Sequence, residues 1–207
     1  AMCDVLSVPE RKNPLGVAQA FRQAFPARES VRLFLKIGNL ELQPDLKSRL
    51  AELARIDPRI TLLDGYLARP DLWTLMASID CFVSLHRAEG LGLGLAESMY
   101  LGKPVIGTGY SGNLQFMNES NSCLVNYRLV DIPLGAYPHA GGQQWAEPDV
   151  DHAAQWMEKI ARDSVFREQI ATRGQEFVRS QMSPTAASHA LSSELQRIRE
   201  MLASRRQ

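Results

Sequence analysis

The feature that most constrains this chain is the alternation of short, β-branched apolar runs with longer stretches of helical period. The runs are VRLFLKI (31–37), RITLL (59–63), DCFVSLH (80–86), PVIG (104–107) and SCLV (122–125). Being apolar at nearly every position, they suit strands of a parallel sheet covered on both faces. Between them lie helices. Asn13 offers an N-cap and Pro14 the first helical position, and Val17, Ala20, Phe21, Ala24 and Phe25 then trace one apolar stripe. Leu46, Leu50, Leu53 and Ala54 mark a second helix, 70–78 a third, and a fourth runs from near Gly92 to a stop at Gly102. Strand–helix alternation predicts an α/β fold, a doubly wound parallel sheet with right-handed crossovers.

After Val125 the pattern changes. Residues 126–148 are rich in Pro and Gly without a period, and are expected to form one long functional or mobile loop. Three closing helices follow, near 150–162, 164–181 and 184–203. Ala153, Trp156, Met157, Ile160 and Ala161 in the first, and Leu191, Leu195, Ile198 and Leu202 in the last, read as core-facing stripes. Residues 1–207 thus form a single Rossmann-like domain: a core over 1–125, the loop over 126–148, and C-terminal helices over 149–207. The chain opens inside a first strand with no lead-in, which suggests part of a longer polypeptide with an expression remnant at Ala1.

Composition removes several classes of function. Lys and Arg number 23 and Asp and Glu 23, giving a formal net charge of zero and no support for nucleic-acid binding. The basic tail (Arg197, Arg199, Arg205, Arg206) has Glu200 among it and reads as a solvated helix end. No apolar run approaches the roughly 20 residues of a membrane span. Cys3, Cys81 and Cys123 have neither disulfide nor zinc spacing; the latter two are expected to be buried thiols, and a reducing cytoplasm fits best.

In an open parallel sheet ligands bind beyond the carboxyl ends of strands, and two segments bring chemistry there. One is SVPERKN (7–13), a strand-to-helix turn carrying adjacent cations. The other is HRAEGLGLGLAESMYLGKPVIG (86–107). Its helix start, at Gly92, Leu93 and Gly94, offers unpaired N–H groups suited to a phosphate or diphosphate. Lys12 would add a full charge from the facing turn. Glu89 precedes the helix and Glu97 lies about one turn inside it, separated by seven residues. Carboxylates at both ends of an anion platform suit a ligand with phosphates in the middle and hydroxyls at each end, as in a sugar nucleotide. On spacing alone Glu89 also fits a solvated loop acid, Glu97 a surface helix residue, and the glycines a plain turn. Gly90-x-Gly92-x-Gly94 matches neither the dinucleotide fingerprint nor the P-loop.

AEGLGLGLAESMYLGKPVIGT resembles the donor-site signature of retaining glycosyltransferases of the GT-B fold, the large group 1 family. SIDCFVSLHRAEG upstream, ERKNPLGVAQAF near the start and WAEPDVDHAAQWM near the end are similar to the same family. The resemblance covers nearly the whole chain, as the C-terminal, donor-binding half. It implies that Glu89 holds hydroxyls of the transferred sugar, that Glu97 holds the ribose, and that Gly92, Leu93, Gly94 and Lys12 hold the diphosphate. Gly65, Tyr66 and Leu67 would receive the base. Many members carry an arginine five residues before the lysine; here that residue is Ser7, and Arg11 would replace it. Leu91 stands where a phenylalanine is common.

The resemblance also implies a UDP-sugar or GDP-sugar donor, no cofactor and no metal. The acceptor, an unspecified glycan or lipid-linked saccharide in polysaccharide synthesis, would bind largely to an N-terminal domain of the same polypeptide, without which transfer should be inefficient. The expected location is the cytoplasm, with room for peripheral attachment to the inner membrane face. Asp149-Val150-Asp151 spells a D-x-D, the manganese motif of other glycosyltransferases, but its place before a helix predicts an N-cap. His86, His139, His152 and His189 show no ligand spacing; His86 could touch the donor or support a strand end. A non-catalytic sugar-nucleotide or phosphate-binding module, and a plain α/β interaction domain, remain as alternative readings.

Overall fold

The computed structural model describes residues 1–26 and 30–204. From the N-terminus the elements are β1 (Met2–Asp4), α1 (Pro9–Lys12), α2 (Pro14–Ala24), β2 (Leu33–Gly38), α3 (Pro44–Ile56), β3 (Ile60–Asp64), α4 (Arg69–Ser78), β4 (Phe82–Ser84), α5 (Leu93–Tyr100), β5 (Val105–Thr108) and β6 (Cys123–Val125). Then come β7 (Tyr127–Asp131), β8 (Gln144–Pro148), α6 (Val150–Arg162), α7 (Ser164–Gln181) and α8 (Pro184–Ser204).

The first six strands are all parallel, in two three-stranded ladders ordered β1-β2-β3 and β4-β5-β6. Helices alternate with them as the sequence predicts. Among the described residues no ladder joins β1 to β4, but their side chains Met2 and Phe82 meet at Gly94. The functional loops gather where these two strands end. The main core comes from the apolar runs: Leu33, Leu35 and Ile37 of β2, Val83 of β4 and Ile106 of β5 are buried with the α2 stripe of Val17, Ala20, Phe21 and Ala24. Helix α6 packs on α2 through Ala153, Met157 and Ile160, with Ala154 buried where Ala161 was expected and Ala161 exposed.

Two expectations fail. Residues 126–148 are not one irregular loop, because β7 and β8 pair antiparallel, with Tyr127 opposite Pro148 and Asp131 opposite Gln144. No residue of β7 is buried, so the strand carries no apolar alternation for the sequence to display. The stripe of α8 does not face the core either. None of the helix is buried, and Leu191, Leu195, Ile198 and Leu202 remain between 38% and 62% exposed. Their period fixes which residues share a face, not what covers it. The α8 end carries Arg197 paired to Glu194 on an exposed surface, while Arg205 and Arg206 lie outside the described residues.

Candidate functional site

The β1–α2 connection is built from unusual backbone. Val8 (φ 65°) and Asn13 (φ 52°) are left-handed and bracket the four-residue helix α1. Positive φ in a β-branched residue is strained, and this strain sits immediately before the turn that presents Arg11 and Lys12. Asn13 caps α2, accepting a hydrogen bond from the Gly16 N–H at 3.1 Å.

Opposite lies the β4–α5 connection. Lys12 Nζ and Glu89 Oε2 are in direct contact, although the two residues are 77 apart in the chain. Arg11 Nη1 lies 3.6 Å from the same carboxylate oxygen, and its guanidinium also donates to the carbonyls of Ala88 and, at 3.2 Å, Ser7. The Lys12 and Glu89 side chains are 18% and 13% exposed, so the pair is only partly hydrated. Burial alone pushes the Glu89 carboxyl up. The Lys12 hydrogen bond and the charges of Lys12 and Arg11 outweigh it and hold the carboxyl below its ordinary value.

Helix α5 begins at Gly92, whose φ of 90° favours glycine. The Leu95 and Ala96 N–H groups both bond the Gly92 carbonyl, at 2.9 and 3.0 Å. Among the described residues no acceptor faces the N–H groups of Gly92, Leu93 and Gly94. They are the orphan donors of a helix N-terminus, beside the partial positive charge of its dipole. Leu93 is exposed at this lip. Gly94 has a second reason to be bare: a Cβ there would lie 3.1 Å from Phe82 Cζ and 3.3 Å from Met2 Cε. Its missing side chain therefore serves packing over the β1 and β4 strands as well as ligand approach.

Sequence reasoning missed the support behind Glu89. The loop after β5 grips its backbone: the Glu89 N–H donates to Ser111 Oγ at 2.8 Å, and the Gly112 N–H donates to the Glu89 carbonyl at 2.9 Å. A Cβ on Gly112 would fall 1.9 Å from the Gly90 carbonyl oxygen, so this approach admits no side chain. His86 anchors that loop from below. Asn113 gives its amide Nδ2 to the Thr108 carbonyl, so its Oδ1 faces His86. The imidazole Nε2–H donates to Asn113 Oδ1 at 3.0 Å and to the Tyr110 carbonyl at 3.3 Å, while Nδ1 accepts from the Ser84 hydroxyl at 3.1 Å. Burial lowers the His86 pKa and keeps it neutral. The residue is a fully buried support for the strand end. The GYSGN composition at the end of β5 was the available signal, since a strand-end turn at the sheet's crevice borders any ligand there.

A third segment joins at α5. Arg69, which opens α4, places Nη2 3.4 Å from Glu97 Oε1 and stacks its guanidinium over Trp73 at 5.8 Å. Glu97 is thereby tied to the connection carrying Gly65, Tyr66 and Leu67. Gly65 leaves β3 with φ 98°, and Tyr66 is 89% exposed. Arg69 was not anticipated; only its position after that turn hinted at it. The Asp149 carboxylate caps α6, accepting from the His152 N–H at 3.0 Å, as its position before the helix predicts. Among the described residues no group of three or more His, Cys, Asp or Glu is placed to hold a metal ion, and no helix is long and apolar enough to cross a membrane. Cys123 is buried and Cys81 partly so. Burial raises all three thiols, Cys3 to about 11 and Cys123 to about 12, which favours the protonated form at neutral pH.

Comparison with known proteins bears on the family and the fold. A family described as glycosyl transferases group 1 matches residues 5–131, a span holding Arg11, Lys12, Glu89 and Glu97. No curated protein matches the chain. Among solved structures, HepE from Anabaena in complex with UDP and glucose is 19% identical, with a TM-score of 0.65 over 94% of this chain and 45% of its own. A glycosyltransferase from Rickettsia africae ESF-5 is 16% identical, with a TM-score of 0.66 over 93% of this chain and 45% of its own. The C-terminal domain of LpcC, a glycosyl transferase group 1 family protein from Francisella tularensis, is 16% identical with a TM-score of 0.63; 84% of this chain and 82% of that domain align. The chain spans just under half the length of the first two. Its fold is that of the Rossmann-like half of these proteins, and the chain belongs to the group 1 glycosyltransferase family.

Proposed function

We propose that this chain is the donor-binding half of a retaining glycosyltransferase that takes a sugar from a nucleoside diphosphate and passes it to a saccharide acceptor. The observation that carries the reading is the Lys12–Glu89 contact between the ends of β1 and β4, beside the open N–H groups of α5. In this reading the diphosphate sits on the Gly92–Leu93–Gly94 backbone and draws Lys12 toward it. Glu89 then turns its carboxylate to the sugar hydroxyls. Glu97 takes the ribose, and the Gly65–Tyr66–Leu67 turn takes the base. Anabaena HepE is described in complex with UDP and with UDP-glucose, which favours a uridine donor, with GDP-sugars as the competing class.

Departure of the nucleoside diphosphate from the anomeric carbon builds negative charge on the leaving phosphate. Oriented N–H donors and one ammonium stabilise that charge without a metal. Arg11 adds positive potential from the position beside Glu89. By analogy with loss of one oxyanion donor, removing Lys12 raises the barrier by roughly 2.7–4 kcal/mol. The acceptor binds mainly to an N-terminal domain of the same polypeptide, in the cytoplasm or at the inner membrane face, in glycan or polysaccharide synthesis.

The test is sugar transfer by the polypeptide with its N-terminal half in place. UDP- and GDP-sugars are supplied with saccharide acceptors in the presence of a chelator, and the anomeric configuration of the product is read by NMR. Retained configuration, lost with Lys12→Ala, is the expected result. Inversion, or turnover only with added metal, overturns it; nucleotide binding without any transfer favours the non-catalytic module.

A further inference from the structure

Beside the Lys12–Glu89 pair stands a residue whose contacts exceed what a strand end needs. Arg87 lies between His86 and the loop bearing Glu89, and it bonds two other segments at once. Its backbone N–H donates to the Arg11 carbonyl at 2.7 Å, and its Nη1 to the Glu10 carbonyl. Its Nε and Nη2 reach both oxygens of Glu147 in β8, at 2.6 and 2.9 Å. The Ala146 N–H returns a bond to the Arg87 carbonyl at 3.0 Å, and the guanidinium lies 5.2 Å from the Trp145 ring centroid. One arginine thus fastens the α1 turn, which carries Lys12, to the β7–β8 hairpin. The two ion-paired side chains are only 19% and 29% exposed. A bidentate pair with so little water fixes orientation as well as charge.

The α1 turn is also tied to the β4–α5 connection through Arg11 and Lys12, but Arg87 is what joins it to the hairpin, and its own backbone is strained at Val8. We propose that Arg87 and Glu147 are positioning residues that set where Lys12 stands, so that the hairpin must be docked for the site to hold a diphosphate. Neither touches the ligand. Glu147 fixes the guanidinium, the guanidinium holds the Glu10 carbonyl while the Arg87 N–H holds that of Arg11, and these fix the α1 turn. The inference rests on the donor-site reading given above.

The test is UDP affinity, measured by titration, alongside thermal unfolding, for the wild type, Glu147→Gln, Arg87→Lys, Lys12→Ala and each pairing with Lys12→Ala. With Lys12 present, Glu147→Gln and Arg87→Lys each weaken UDP about five- to tenfold. In the Lys12→Ala background the same changes cause no further weakening, because they act through Lys12. Thermal midpoints, which report folding alone, shift equally in both backgrounds. A merely structural pair would give equal affinity losses with and without Lys12, and that result overturns the proposal. So does wild-type affinity in both variants while Lys12→Ala weakens binding, which leaves the donor site standing. Absence of UDP and GDP binding by the wild type overturns the donor site and this inference together.

Discussion

Lys12 and Glu89, on connections 77 residues apart, meet where β1 and β4 end, and neither could stand there alone without loss. Lys12→Ala leaves a carboxylate that is 13% exposed with Arg11, 3.6 Å away, as its one ion-pair partner among the described residues. The expected cost is about 1–3 kcal/mol of stability, the penalty for an unmatched, largely buried polar group. Adding Glu89→Gln to Lys12→Ala removes the charge and should recover about half or more of that loss. Urea unfolding of the two single variants and the double variant checks this, and additive losses would count against the pairing.

The same pair predicts an acid dependence. The folded Glu89 carboxyl lies below its ordinary 4.5 because Lys12 and Arg11 outweigh burial. A depressed carboxylate contributes stability that is fully present above the unfolded value and is lost as pH falls through the folded one. Glu89→Gln should therefore be less stable than wild type at pH 7, and the gap should close below about pH 4.5. Unfolding free energies measured across pH 3–7 decide it; a constant gap would show that the carboxylate is not held by charge.

Gly112 should tolerate no side chain. A Cβ would sit 1.9 Å from the Gly90 carbonyl oxygen, a backbone atom with nowhere to retreat. Gly112→Ala is expected to cost about 3 kcal/mol, at the upper end of overpacking, and to loosen the Glu89 backbone it grips. Thermal unfolding with UDP titration would register both effects.

The exposed stripe of α8 should be silent in this chain. Leu195→Ser and Ile198→Ser are expected within about 0.5 kcal/mol of wild type, as surface changes are. Leu50→Ala, by contrast, on the buried face of α3, should cost about 2–5 kcal/mol. Denaturant midpoints for the three variants compare them directly; a large loss from α8 would mean that its stripe is covered.

How legible the protein was depended on which residues carry their signal locally. Val17 through Phe25, and the apolar runs of β2 and β5, declare period and burial together, so strands and helices fell close to their expected bounds. Asn13 and Asp149 declare themselves as caps because capping is set by the next few residues. The β7–β8 hairpin escaped because β7 buries nothing and so shows no alternation, and α8 because a stripe does not name its partner. At the candidate site, residue type and spacing single out Lys12, Glu89, Glu97 and the Gly92–Gly94 helix start, and the structure brings Lys12 and Glu89 together. The contacts that hold them were not. Ser111 and Gly112 behind Glu89, Arg69 beside Glu97, and Arg87 with Glu147 are joined across chain separations that only the fold closes.

In the proposed function the site between β1 and β4 holds a nucleoside diphosphate through Lys12 and the start of α5. Calorimetric titration of the 207-residue chain with UDP and with GDP, in the presence of a chelator, tests it most directly. At least one of them is expected to bind, and Lys12→Ala to weaken that binding by about tenfold or more. No binding of either nucleotide at millimolar concentration, or binding that ignores Lys12→Ala, would contradict it.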